Sequence, residues 1–151
     1  MDKKEFLLEE FCEILLSIDE NTKPLFGKMN FGQMVEHFSD SVRIANGKAT
    51  FDFKQDEAIT EKMKNFMLSD KPFRENTPNP LMPNEPEAVK NNSIVKAIEE
   101  LKMELNDFET YFAKHPDAKL RNPFFGELNF EEWIHLLHKH ALHHLKQFGF
   151  D

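Results

Sequence analysis

Apolar residues recur at helical spacing in several separate stretches, with polar residues between them. Residues 3–18 carry Phe6, Leu7, Leu8, Phe11, Cys12, Ile14, Leu15, Leu16 and Ile18 among acids, a pattern that predicts an amphipathic helix more apolar than one face requires. Residues 30–47 repeat Phe31, Met34, Val35, Phe38, Val42 and Ala45 and end at Gly47, a natural helix stop. A weaker period over 56–68 (Ile59, Met63, Phe66, Met67) predicts a shorter helix. Ser93 caps a long one reaching about Ala113, which His115-Pro116 ends. The last helix follows Asn129. Thr50-Phe51-Asp52-Phe53 is the only alternating fragment, and no strand is predicted from it. Four main helices plus a short one predict an all-α fold, a four-helix bundle.

Two of these helices begin alike. Phe26-Gly27-Lys28-Met29-Asn30-Phe31-Gly32-Gln33-Met34 matches Phe125-Gly126-Glu127-Leu128-Asn129-Phe130-Glu131-Glu132-Trp133 in form. In each, Asn caps the first turn, and Gln33 or Glu132 stands three residues on, where it can return a bond to the cap N–H. Between Lys71 and Asn92 the chain has Pro72, Pro78, Pro80, Pro83 and Pro86 and no period, which predicts a long Pro-rich loop (71–92) of the kind that shapes binding sites.

Composition narrows the class. With 151 residues the chain reads as one domain, 1–151, large enough to bury a core. Sixteen Phe against one Trp and one Tyr imply an interior that asks for few hydrogen bonds. A formal charge of −8, with lysines scattered among acids, argues against a nucleic-acid partner. No apolar run approaches the roughly 20 residues needed to span a bilayer. The first helix is too charged for a signal peptide, and Cys12 alone can form no intrachain disulfide, so a cytoplasmic location is expected. Among apolar neighbours Cys12 reads as a structural thiol.

The candidate chemistry lies in histidines. Five of the seven fall in the last helix: His135, His138, His140, His143 and His144. At about 100° per residue, Phe130, Trp133, Ile134, Leu137, Ala141, Leu145 and Phe148 form its apolar face. His144 lies inside that stripe and His140 along its edge, while His135, His138 and His143 read as solvated. His140 and His144, four apart, share a face with Cβ atoms about 5–6 Å from each other. They are either a hydrogen-bonded core pair or two ligands of one ion. His37, at the margin of the stripe on the second main helix, is the third imidazole able to join them, in a set that suits zinc, nickel or iron. Gln147, one turn beyond His144, either orients it or faces solvent. Glu36 points away from His37 and is no candidate base. A di-iron carboxylate site finds only Glu132-Trp133-Ile134-His135, with His135 turned outward, and there is neither a H-E-x-x-H protease motif nor a phosphate-binding glycine loop.

Gly27-Lys28-Met29-Asn30-Phe31-Gly32-Gln33-Met34-Val35-Glu36-His37 and the run from Trp133 through His140-Ala141-Leu142-His143-His144-Leu145-Lys146-Gln147 resemble the DinB/YfiT-like metalloenzyme family. The resemblance implies a four-helix bundle, often a homodimer, with a divalent metal ion on His37, His140 and His144. It further implies a small-molecule substrate. Relatives include S-transferases and a maleylpyruvate isomerase that use bacillithiol or mycothiol, and others are called hydrolases. The implied function is therefore thiol-dependent S-transfer or hydrolysis, with catalytic residues unassigned. The alternative is a noncatalytic metal-binding or stress-response module, expected to close its ion off with a fourth protein ligand or to fill the pocket with side chains.

Overall fold

The computed structural model describes residues 2–75 and 85–150. Pro78, Pro80 and Pro83 of the Pro-rich loop lie outside the described residues. The chain begins with α1 (Lys3–Glu5), which runs through a π-helical turn (Phe6–Glu10) into α2 (Phe11–Ser17). There follow α3 (Phe31–Ala45), α4 (Glu57–Leu68), α5 (Ile94–Lys114), β1 (Leu120–Asn122), β2 (Gly126–Leu128) and α6 (Phe130–Gln147). The fold is an all-α helical bundle with one small hairpin.

Leu7, Phe11 and Leu15, spaced four apart, lie along one side of the run through the π turn and are buried in the core, with Cys12 beside them. Leu16 remains half exposed. The core lies between α2, α3, α5 and α6, where Phe11, Phe31, Phe38, Phe108 and Trp133 are the largest fully buried side chains.

Both predicted capping boxes form. Asn30 Oδ1 accepts from Gln33 N and Gln33 Oε1 from Asn30 N, each at 2.8 Å. Asn129 Oδ1 accepts from Glu132 N at 2.9 Å, and Glu132 Oε1 from Asn129 N at 3.0 Å. They fix where α3 and α6 start, and hence which way the histidines of those helices face.

The hairpin corrects the expectation of no strand. Leu120 pairs with Leu128, Arg121 with Glu127 and Asn122 with Gly126. Asn122 Oδ1 accepts from Phe124 N (2.8 Å) and Phe125 N (3.1 Å), and Gly126 takes φ +80°. An Asn-Pro turn closed by a left-handed glycine is a hairpin signal, hidden because the strands are only three residues long. Thr50–Phe53, the fragment that did alternate, is neither helix nor strand and has no strand partner among the described residues.

A polar clasp binds α3 to α5. The buried carboxylate of Glu104 accepts from Arg43 Nε (3.0 Å), Asn46 Nδ2 (3.0 Å) and Lys48 Nζ (2.8 Å). Burial pushes its pKa up, but the bonds from Lys48 and Asn46 and the charge of Arg43 outweigh that and hold it below 4.5. Among the described residues, no helix is long and apolar enough to cross a membrane.

Glu104→Gln is expected to destabilise the fold by about 1–3 kcal/mol, because it leaves charged donors on a neutral partner. Urea midpoints check it. A carboxyl whose folded pKa is depressed contributes stability above its unfolded value, and that contribution is lost as the pH falls through the folded value. The gap between wild type and variant should therefore close on acidification below about pH 4.5.

Candidate metal centre

α3 supplies His37 and α6 supplies His140 and His144, and the ligand-capable ring nitrogens of the three lie within 4.8 Å of one another. The His37 ring stands nearly perpendicular to the other two, with centroids 5.3 Å from His140 and 5.4 Å from His144. Phe38 stacks under His140 at 4.7 Å and forms an apolar floor. His144 is buried, and His37 and His140 are half-buried.

The hydrogen bonds fix the tautomer of His144. Gln147 Nε2 donates to the carbonyl of Phe26 at 2.9 Å, so the amide oxygen of Gln147 must face the ring. His144 Nδ1 lies 2.7 Å from that oxygen and must carry the proton. A neutral His144 then turns a bare Nε2 toward His140 Nε2, 2.8 Å away. Two bare ring nitrogens cannot approach so closely; a proton or a cation has to stand between them. In the metal-free protein His140 donates that proton. To accept a cation, His140 need only shift the proton to Nδ1. The donor set therefore fits a divalent ion: three imidazoles, one of them already held in a ligating tautomer by Gln147.

Gln147 depends in turn on Gly27. Gly27 takes φ +77°, and a Cβ there would lie 2.9 Å from Gln147 Nε2. Leu25 N also donates to the Gln147 carbonyl at 2.7 Å. The loop before α3 therefore folds directly over the last turn of α6. Gln147 is accordingly a buried orienting group and not a solvent-facing one.

Burial lowers the pKa of all three imidazoles, for His140 and His144 well below 6.5. His144 and His37 lower His140 further; His37 lowers His144 against the opposing Gln147 bond; and at His37 the nearby Asp40 opposes the burial effect. They are neutral near pH 7, the form that ligates metal.

The other three histidines of α6 correct the expectation of a solvated surface. His135 Nδ1 lies 2.9 Å from Lys3 Nζ, which can only donate, so Nε2 carries the proton and donates to the Ser69 carbonyl at 3.2 Å. His138 packs edge-on against Phe6 at 5.3 Å. His143 lies between Phe26 (5.2 Å) and Phe73 (6.2 Å). The helical wheel places them outside the apolar stripe, but α1, the π turn and the segment after α4 cover those faces. Lys139, which the pattern did not single out, is buried and donates to the carbonyls of Ser69 (2.8 Å) and Lys71 (2.5 Å) at the end of α4. Cys12 is buried, and desolvation pushes its thiol up to about 11.

A cleft of about 920 Å³ opens beside the three histidines. On one side runs α3 with residues 85–92 strapped along it. Glu36 accepts from Lys90 N (2.8 Å), Asn91 N (2.9 Å) and Asn91 Nδ2 (2.9 Å), and Gln33 Nε2 donates to the Glu87 carbonyl (3.0 Å). These bonds occupy Glu36, in keeping with its exclusion as a base. The other side carries rings from several loops, among them Phe53, Phe73 and Phe124.

An acid limit on the metal-free fold follows. Below about pH 6.5 the unfolded chain takes up protons that the buried imidazoles refuse, so stability from this source is present above that value and declines beneath it. Thermal melts of chelator-treated protein at about pH 7.5 and about pH 5.5 should show a larger loss of Tm for wild type than for His140→Ala.

No curated protein and no solved structure matches the chain significantly. The family model of the DinB superfamily matches residues 18–148, a span that contains all three histidines of the cluster, and the chain belongs to that superfamily.

Proposed function

We propose that this protein is a metal-dependent enzyme that binds a divalent ion on His37, His140 and His144 and joins an external nucleophile to a small molecule held in the adjacent cleft. The observation that carries this reading is the opening of the three converging ring nitrogens onto a cleft of about 920 Å³, within the range of small-molecule sites. A noncatalytic module would close the ion off or fill the pocket. Among the described residues, the cluster has three members and the cleft stands beside it.

When bound, such an ion would supply Lewis acidity, which would lower the pKa of a thiol or water so that it gives up its proton and becomes the anionic nucleophile. The chain's own residues do the rest. Gln147 holds His144 in its ligating tautomer, and Phe38 supports His140 from beneath. Glu36 is committed to the 85–92 strap, and the Ser41 hydroxyl donates to the His37 carbonyl at 3.3 Å. Cys12 is buried with its proton on. None of these acts as a nucleophile toward the cleft, which favours one brought in by a co-substrate. A low-molecular-weight thiol such as bacillithiol makes the activity S-transfer: sulfur forms the new bond to carbon, and the leaving group departs with its electron pair. Water in its place makes it hydrolysis.

Untagged protein should carry one divalent ion per chain, measured by elemental analysis, and lose it in His140→Ala and in His144→Ala. Retention in both variants would overturn the proposal. Gln147→Ala should keep the fold and bind the ion about 10–100-fold more weakly, measured by competition with a chelating dye. Loaded protein given bacillithiol and an alkyl halide, or an ester and no thiol, then separates transferase from hydrolase.

A further inference from the structure

The cleft has an unusual wall. His143, whose centroid is 5.1 Å from His144, meets the ring of Phe73 at 6.2 Å. Phe73 stacks on Phe125 at 6.2 Å, Phe125 meets Phe124 at 6.3 Å, and Phe124 meets Phe53 at 5.3 Å. A continuous run of rings therefore leads from the histidine cluster along one side of the cleft. The phenylalanines come from three separate places outside the helices: the segment before α4, the segment after it, and the hairpin turn. Phe73 and Phe124 are half-buried at the edge of the core, and Phe53 is half-buried beside Phe124, outside the core cluster. Rings gathered along a cleft are the usual apolar lining of a small-molecule site.

The facing wall adds an independent reason. Its polar groups are already used: Glu36 by Lys90 and Asn91, and Gln33 by its cap and the Glu87 carbonyl. Arg43 is surrounded by Asp40 (2.7 Å), Glu100 (3.1 Å) and Glu104 (3.0 Å). These α3 side chains are thus engaged by the protein itself, and the rings make up the apolar part of the lining.

We infer that the run Phe73–Phe125–Phe124–Phe53 is the substrate-binding surface and that the substrate carries a flat, aryl-sized apolar group close to its reacting atom. This rests on the metal-dependent reading above. Aromatic rings offer stacked and edge-on contacts to a flat ligand, and one end of the run lies beside the candidate ligands.

Simple hydroxamates test it, because they bind divalent ions and differ only in the attached group. In zinc-loaded full-length protein, benzohydroxamate should bind about 10-fold or more tighter than acetohydroxamate by calorimetry. Phe73→Ala and Phe53→Ala should each weaken benzohydroxamate about 3–10-fold and leave acetohydroxamate unchanged. Equal affinities of the two compounds, or equal losses for both in the variants, would overturn the inference. Phe53 is half-buried in an irregular segment, so its variant is expected to fold even where Phe73→Ala does not. If neither hydroxamate binds, the metal reading fails by itself. The wall is then judged in metal-free protein by the fluorescence of 1-naphthylamine. Saturable binding lost in Phe53→Ala sustains an aryl-binding surface, and binding unchanged by that variant rejects it.

Discussion

Three neutral imidazoles on an apolar floor direct nitrogens at one another, and much of the surrounding structure serves to hold them there. The arrangement makes demands: buried polar atoms need partners, and the facing nitrogens of His144 and His140, 2.8 Å apart, need a proton or a cation between them. The fold meets this at each level. Two capping boxes set the register of α3 and α6. The Glu104 clasp keeps α3, which carries His37, against α5. Gln147 fixes the proton of His144, the Phe26 carbonyl fixes Gln147, and Gly27 leaves the room that lets the loop come so close. The cluster thus depends on parts of the chain from residue 26 to residue 147.

What could be read in the sequence was mainly what is local. The caps at Asn30 and Asn129 need only a four-residue pattern, and the pair His140 and His144 needs only helical spacing. The proximity of His37 is tertiary; its place at the margin of a stripe left the matter open, and the family resemblance supplied the expectation that the structure's geometry meets. The faces of α6 bearing His135, His138 and His143 were misread because a helical wheel knows one helix and not its neighbours. Lys3, Phe6, Phe73 and Ser69 cover those faces, and they come from distant segments. The hairpin escaped because three-residue strands leave no period, although Asn122-Pro123 and Gly126 did carry its turn chemistry.

Labour is divided between helices and loops. The candidate ligands stand on long capped helices, where backbone hydrogen bonds and core packing limit their motion. Much of the rest of the cleft's wall comes from irregular segments tied back to the helices by a few strong bonds. Lys139 holds the segment after α4 through the carbonyls of Ser69 and Lys71, and its ammonium lies over Phe73 at 5.6 Å. Glu36 holds the 85–92 strap. Such a scaffold can change what it binds by changing loop residues without moving the histidines.

Charge placement completes the physical picture. Glu36 adjoins His37 in sequence, but its carboxylate is turned to the strap and held below the ordinary carboxylate range by the N–H groups of Lys90 and Asn91, which outweigh its burial. Glu104, Asp40 and Glu100 are gathered around Arg43. Among the described residues, no carboxylate joins the three imidazoles. A divalent cation held there would keep its charge unquenched by a negative ligand, over a floor of Phe38 that screens it less than water does. Neutral ligands, an apolar floor and acids occupied elsewhere all favour strong polarisation of whatever enters the cleft.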